Sequence, residues 1–294
     1  MSDDFRLGAV IITMGNRPAE LNALIESVRA QQGPPVELAV VGNGAPLPPL
    51  PAGVRTVELP ENLGIPGGRN VGIELFGPDG RDVDAVLFLD DDGLLPNTDS
   101  ARLLREAFAA DPALGIVSFR IADPETGTTQ RRHVPRLRAS DPLHGSRVTT
   151  FLGGASAVRS AVFPQAGQLP AEFFYAHEET DLAWRALDAG WSIDYRPDVV
   201  LHHPATSPAR HASYFHNVAR NRVWLARRNL PAPLVPLYLG TWFLLTVLRR
   251  PPKEGLRAWF GGFRAGWSEP CGPRRPMKWS TVWRLTRLGR PPII

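Results

Sequence analysis

The chain has 294 residues, 43% of them hydrophobic and 21% charged, with one cysteine, Cys271. That composition supports a packed core and excludes a disordered chain; a lone cysteine excludes an internal disulfide and fits a reducing compartment. The net charge of +4 is unevenly placed: residues 249–294 hold eleven Lys/Arg against two Glu, a surplus of +9, so the preceding 248 residues carry −5. A basic segment on a mildly acidic body points to an anionic partner surface, whether lipid headgroups, nucleic acid or an acidic polymer. The opening MSDDFRLGAVIITMGNRP places acids where a signal peptide carries bases, so no export signal is read and a cytoplasmic location is expected.

In chain order, the apolar run GAVIIT (8–13) predicts a buried strand. Pro18 then opens a helix whose Leu21, Leu24, Ile25 and Val28 form one apolar face. Strands are expected over 36–41 and 54–59, a helix from Pro66 to about Leu75, and a strand over 85–89. Thr98 or Asp99 can cap the next helix, with Leu103, Leu104, Ala107 and Phe108 inward, and a strand follows over 115–121. Such alternation predicts a mostly parallel sheet with helices on both faces. Residues 123–150 are polar and predict a long loop or hairpin. A helix over 178–189 stops at Gly190, short strands lie near Ile193 and Val199, and 211–229 reads as a helix.

Four stretches carry chemistry. In AVLFLDDDGLLP (85–96) a buried strand runs into Asp90, Asp91 and Asp92, like charges that call for a cation. Ligands of an open parallel sheet bind at the carboxyl ends of its strands, and residues two apart on extended chain point the same way. Asp90 and Asp92 can therefore share one Mg²⁺ or Mn²⁺; the plainer explanation is a solvated acidic turn. In ENLGIPGGRNVG (61–72) glycines lead into a helix start with Arg69, a cradle for a diphosphate or simply a packing loop. No G-x-G-x-x-G and no G-K occur, which excludes the dinucleotide fingerprint and the P-loop. FFYAHEETDLAWRALDAGW (173–191) has Asp181 where the zinc-protease H-E-x-x-H needs its second His. Its Glu178, Glu179 and Asp181 either complement the helix dipole or include a general base. VVLHHPAT (199–206) offers His202 and His203 as a metal ligand.

In order and spacing, VIITMGNRP (10–18), ENLGIPGGRNVG (61–72), FLDDD (88–92), FLGGASAVRSAVF (151–163), EETDLAWRALDAGW (178–191) and LHHP (201–204) resemble the family-2 glycosyltransferases of GT-A fold. The likeness includes rhamnosyltransferase-like and galactofuranosyltransferase-like members, and covers residues up to 205. It implies an α/β transferase domain over 1–232, with a nucleotide-sugar half (1–95) and a mixed acceptor and catalytic half (96–205). A basic helical extension, 233–294, follows. The resemblance assigns Thr13 and Arg17 to the nucleotide. It lays Asn62, Gly68, Arg69 and Asn70 along the nucleotide and diphosphate. Asp90 and Asp92 match the DxD that binds the metal; Asp91 counts with the nucleotide contacts of that turn, its side chain expected to face elsewhere. Glu179 stands at the base position with Glu178 as the alternative, and His202 completes the metal shell with His203 as the alternative. Asp181, Trp184 and Arg185 shape the site. One departure is Gly42, where the family carries an Asp that reads the base; Asn43 is a partial substitute, and UDP-, dTDP- and GDP-sugars all stay open.

The implied activity is inverting transfer of a sugar from a nucleotide diphosphate sugar to a hydroxyl of a glycan, glycolipid or small molecule, in cell-surface glycan assembly. A sugar-phosphate nucleotidyltransferase would carry a glycine-rich basic loop where TMGNRPAEL stands. A non-catalytic nucleotide-sugar or glycan binding module is the third reading, to which Gly42 gives some room. In the extension, LVPLYLGTWFLLTVL (234–248) falls short of the roughly 20 residues of a spanning helix. Trp259, Trp267, Trp279 and Trp283 among the bases suit peripheral contact with the inner face of the cell membrane, against packing on the body or on a twin subunit. The arginines of HASYFHNVARNRVWLARRN (211–229) can meet an acceptor phosphate or form a solvated face, and no nucleic-acid motif is present.

Overall fold

The computed structural model describes residues 4–137, 141–204, 212–249 and 251–294. The first three residues of the opening stretch, the end of VVLHHPAT, His211 and Arg250 lie outside the described residues. Eight strands form one sheet: β1 (Leu7–Thr13), β2 (Glu37–Gly42), β3 (Arg55–Glu58), β4 (Ala85–Asp90), β5 (Leu114–Ala122), β6 (Ser146–Arg147), β7 (Ala155–Arg159) and β8 (Ser192–His202). Their order is β3-β2-β1-β4-β7-β5-β8-β6. The first four are mutually parallel, β7 runs antiparallel between β4 and β5, and β8 is parallel to β5.

Both faces of the sheet are covered, so its central strands are apolar on both sides. Val10, Val86 and Phe88 face a core built with α2 (Gly64–Glu74), α4 (Val162–Ala166), α5 (Glu178–Asp188) and α6 (Ala212–Asn229). Their neighbours Ala9, Ile11, Leu87 and Leu89 face α1 (Pro18–Arg29) and α3 (Ser100–Ala110). This is the two-residue alternation of a strand. The helix α2 lies close on β1 because Gly72 has no side chain: a Cβ there would fall 2.3 Å from Val10 Cγ1.

Several elements differ from the sequence expectation. α2 starts two residues before Pro66. Asp99 precedes α3, but its carboxylate pairs with Arg102 at 3.2 Å instead of capping. The segment 123–150 is loop apart from β6 and a 3₁₀ turn over Arg131–His133, its residues 138–140 lying outside the described ones. The two short strands near Ile193 and Val199 are one strand, β8. Its register slips between Arg196, opposite Phe119, and Val200, opposite Arg120. Pro197 lies in the slip, where it has no N–H to give the ladder.

Thr13, Gly42, Asp90 and His202 end β1, β2, β4 and β8 on the same edge of the sheet, and the strand order reverses between β1 and β4. An open sheet has its crevice there. The chain then adds α7 (Leu234–Leu248), α8 (Lys253–Ser268) and α9 (Trp279–Arg287). Gly262 lets α8 lie on α6, since a Cβ would fall 2.1 Å from the His216 carbonyl oxygen. The Asp188 carboxylate holds α9 by accepting from Lys278 N–H at 2.8 Å and Thr281 Oγ1 at 2.6 Å. So α8 and α9 pack on the body, whereas α7 leaves Leu237, Phe243, Leu244, Val247 and Leu248 exposed. Among the described residues no helix is long and apolar enough to cross a membrane.

Candidate active site

A cleft of about 720 Å³ opens on the carboxyl edge, lined by Thr13, Arg17, Asn43, Asn62, the three aspartates, Phe174, Tyr175, His203, Tyr214 and Asn217 among others. The three aspartates do not continue the strand; they form a turn in which each has its own partner. Gly93 N–H donates to the Asp90 carbonyl at 2.9 Å, so the chain turns after Asp90 and the alternation of an extended strand is lost. Asp90 accepts from Arg69 Nη2 at 2.9 Å. Asp91 accepts from Thr13 Oγ1 at 2.6 Å and faces Arg17 at 3.4 Å. Asp92 pairs with Arg17 and lies 3.1 Å from His203 Nε2. Two arginines therefore supply the balancing charge.

Titration follows these contacts. Burial raises Asp91 despite the Thr13 bond and the charge of Arg17. Burial pushes Asp92 up as well, but the hydrogen bond and charge of His203, with Arg17, hold it below the usual carboxylate range. His203 is raised in turn, chiefly by its bond to Asp92. Among the described residues no side-chain contact joins His202 to this cluster; its backbone pairs with Leu94 in both directions, at 2.8 and 2.9 Å.

Arg69 is 2% exposed and lies beneath the cleft. Besides Asp90 it reaches Glu179, with Nη1 3.8 Å from Oε1, and its guanidinium sits 5.5 Å from the Phe88 ring centre. Among the described residues its Nε and Nη1 have no hydrogen-bond partner. Two adjacent glycines make the room: a Cβ on Gly153 would fall 2.1 Å from Glu179 Oε1, and one on Gly154 1.9 Å from Asp90 Oδ2. Sequence reasoning quoted both glycines without giving them a role. They are the central residues of a turn closed by Ala155 N–H to the Leu152 carbonyl at 3.2 Å, and since neither has a positive φ it is their lack of a side chain that matters here.

The diphosphate cradle expected at the start of α2 takes another form. Leu63 N–H donates to Asn43 Oδ1, Gly64 N–H to Asn62 Oδ1 and Ile65 N–H to the Phe174 carbonyl, at 2.9, 2.8 and 2.8 Å. Asn43 also donates to Asn62 Oδ1 and to the Gly64 carbonyl, at 3.1 and 3.0 Å. These asparagines tie the loop to β2. Gly68 packs on Asn43 and Ile12, and Asn70 bonds both ways with the Leu169 backbone. At Gly42 a Cβ would lie 2.3 Å from the Ala45 carbonyl oxygen, so this turn has no room for an Asp.

The two glutamates open α5. Glu178 is 1% exposed, and burial, then the neighbouring Glu179, raises its carboxyl well above the usual range. The Glu179 side chain is 22% exposed and is also raised by burial, with Arg69 opposing. The approach to them is strained, with φ of 61°, 74° and 72° at Phe174, Ala176 and His177. Asn221 on α6, which sequence reasoning did not single out, holds that loop: its Nδ2 lies 2.8, 2.7 and 2.9 Å from the carbonyls of Phe173, Tyr175 and Ala176. Asp181, fully buried, binds Arg185 at 2.7 Å, Arg228 at 3.1 Å and Asn229 at 2.7 Å, which locks α5 to α6.

The sheet, its reversal and the carboxylate-lined cleft define an α/β fold of GT-A type. Residues 9–164, more than half of the chain, match the profile of Glycosyl transferase family 2, and the chain belongs to that family. The crystal structure of S. aureus TarS 1–349 is similar, with a TM-score of 0.60 at 15% identity over 89% of this chain and 81% of that one. A structure of S. aureus TarS gives 0.56 at 15% identity, over 88% of this chain and 48% of that one. No curated protein matches the sequence.

Asp181→Asn leaves the Arg185 and Arg228 charges without their carboxylate. The expected cost is about 3–5 kcal/mol of stability in urea unfolding; a loss below about 1 kcal/mol would show that the clamp adds little.

Proposed function

We propose that the protein is an inverting glycosyltransferase that moves a hexosyl or deoxyhexosyl group from a nucleotide diphosphate sugar to an acceptor hydroxyl. The observation that carries this reading is the bridge from Asp90 at the cleft through buried Arg69 to Glu179. It couples the donor edge of the sheet to a partly exposed carboxylate. Thr13, Arg17 and Asn62 line the cleft where the nucleotide would lie. Glu179 is the base: its side chain is partly exposed, and burial raises its pKa, which makes it a stronger proton acceptor. Glu178 is sealed beside it, and burial with the adjacent Glu179 charge favours its neutral form.

The donor set at the cleft fits a divalent ion. Asp92 and His203 are 3.1 Å apart and offer hard oxygen and nitrogen ligands for Mg²⁺ or Mn²⁺. Among the described residues no three His, Cys, Asp or Glu side chains converge, so diphosphate oxygens would complete the shell. When bound, the ion supplies positive charge to the departing diphosphate. This chain's own share is to hold that end with Asp92 and His203, to fix Asp90 through Arg69, and to take the acceptor proton on Glu179.

Glu179→Gln is expected to lower transfer by about 10²–10⁴ while UDP, dTDP or GDP still binds. Glu178→Gln, at the sealed carboxyl, should retain far more activity in the same assay. Full transfer by Glu179→Gln would contradict the assignment.

The acceptor belongs to cell-surface glycan assembly at the inner face of the membrane. Support comes from the exposed apolar side chains of α7, followed by exposed Arg249, Lys253 and Arg257. The protein should co-sediment with vesicles containing phosphatidylglycerol at low salt and be released at high salt. Equal recovery in the supernatant with and without vesicles would contradict the membrane contact.

A further inference from the structure

Around the cleft, arginines are paired with acids: Arg17 with Asp91 and Asp92, Arg69 with Asp90, Arg185 and Arg228 with Asp181. A second group behaves differently. Arg222 on α6 lies over the Trp242 ring of α7, its guanidinium carbon 3.5 Å from the ring centre and its Nη1 3.3 Å from the Tyr238 hydroxyl. Arg249, at the end of α7, comes within 5.7 Å of the same ring centre. Arg290, just beyond α9, is half-buried in the field of Arg222 and Tyr238. Among the described residues none of these three has a carboxylate partner. Burial presses Arg222 and Arg290 down, and repulsion among the arginines adds to it at Arg222.

Arginines drawn out of water without a counter-ion, as Arg222 and Arg290 are, are costly unless an anion is to arrive, and exposed Arg249 stands at their margin. Two further polar atoms there are also unsatisfied among the described residues: Trp242 Nε1 and His177 Nε2 are buried without partners. His177 feels both Arg222 and Arg290, and it directly precedes Glu178. The cluster thus touches α7 through Trp242 and Tyr238 and acts on the loop that leads into Glu178 through His177.

We propose that Arg222, Arg249 and Arg290, with the Trp242 indole N–H, form a binding site for a phosphate group of the acceptor. The neighbouring apolar helix favours a phosphate ester that carries a hydrocarbon chain, its sugar hydroxyl reaching Glu179. The acceptor role rests on the transferase reading; the anion site stands on the arginines alone.

The test is thermal unfolding of the full chain with octyl phosphate, with octyl glucoside as uncharged control, and with inorganic phosphate. Octyl phosphate should stabilise the wild type and octyl glucoside should not. Arg290→Gln and Arg249→Gln, both at the margin of the cluster, should each weaken octyl phosphate binding about tenfold, the loss of one charge-assisted contact. Their response to UDP with Mn²⁺ should stay that of the wild type. Equal binding of inorganic phosphate would support the anion site with free phosphate as its occupant. Stabilisation by octyl phosphate in a protein that answers to no nucleotide would uphold the site and remove its acceptor role. Undiminished octyl phosphate binding in both variants, or an equal effect of octyl glucoside, would overturn the proposal. So would loss of the UDP response in the variants, which would put these arginines in the donor cleft.

Discussion

Three adjacent carboxylates at the end of a buried strand repel one another, and the rest of the site is arranged around that repulsion. Two arginines from different directions resolve it. Arg17 enters from the start of α1 and takes Asp91 and Asp92 at the surface of the cleft. Arg69 comes from α2 beneath and takes Asp90. The two are not equivalent. The Arg17 side chain is 43% exposed and can give way to a ligand of the same sign, whereas Arg69 is enclosed and keeps Asp90 and Glu179 at fixed separation.

The buried arginine sets further constraints. Its second carboxylate is on α5, so α5 must sit in register with the end of β4. Glycines 153 and 154 are needed where β7 begins, because any side chain there would collide with the carboxylates. Asp181, with Arg185 and Arg228, holds α5 to α6, and Asn221 holds the strained loop that delivers Glu178 and Glu179. The helices after the sheet thus fix the position of Glu179, the proposed base, and α8 and α9 fix those helices.

Much of this was legible in the sequence. The apolar runs of β1, β2, β4 and β5 and the i, i+3, i+4, i+7 face of α1 gave the layered α/β plan, and the ordered motifs gave the family. What stayed hidden depended on contacts distant in sequence. The run ASAVR is short and small, and only its place between β4 and β5 makes it a strand. Arg69 reads as a phosphate ligand from its glycine-rich surroundings, yet its partners are 21 and 110 residues away. The pair His202 and His203 is symmetrical in sequence; the bridge to Leu94 turns only the second towards Asp92. The adjacent glycines before ASAVR, in a turn that needs no positive φ, were the signal for the crowded carboxylates behind them.

The central claim is that the acidic turn, neutralised by Arg17 and Arg69, is a site for a divalent cation with a nucleotide diphosphate. The most direct measurement is thermal unfolding with UDP, dTDP, GDP and CDP, each with and without Mn²⁺. The account predicts that one nucleotide stabilises the fold only when the metal is present, by about 2.7 kcal/mol at a hundredfold excess over its Kd. A nucleotide shift that ignores the metal, or no shift with any of the four, would contradict it.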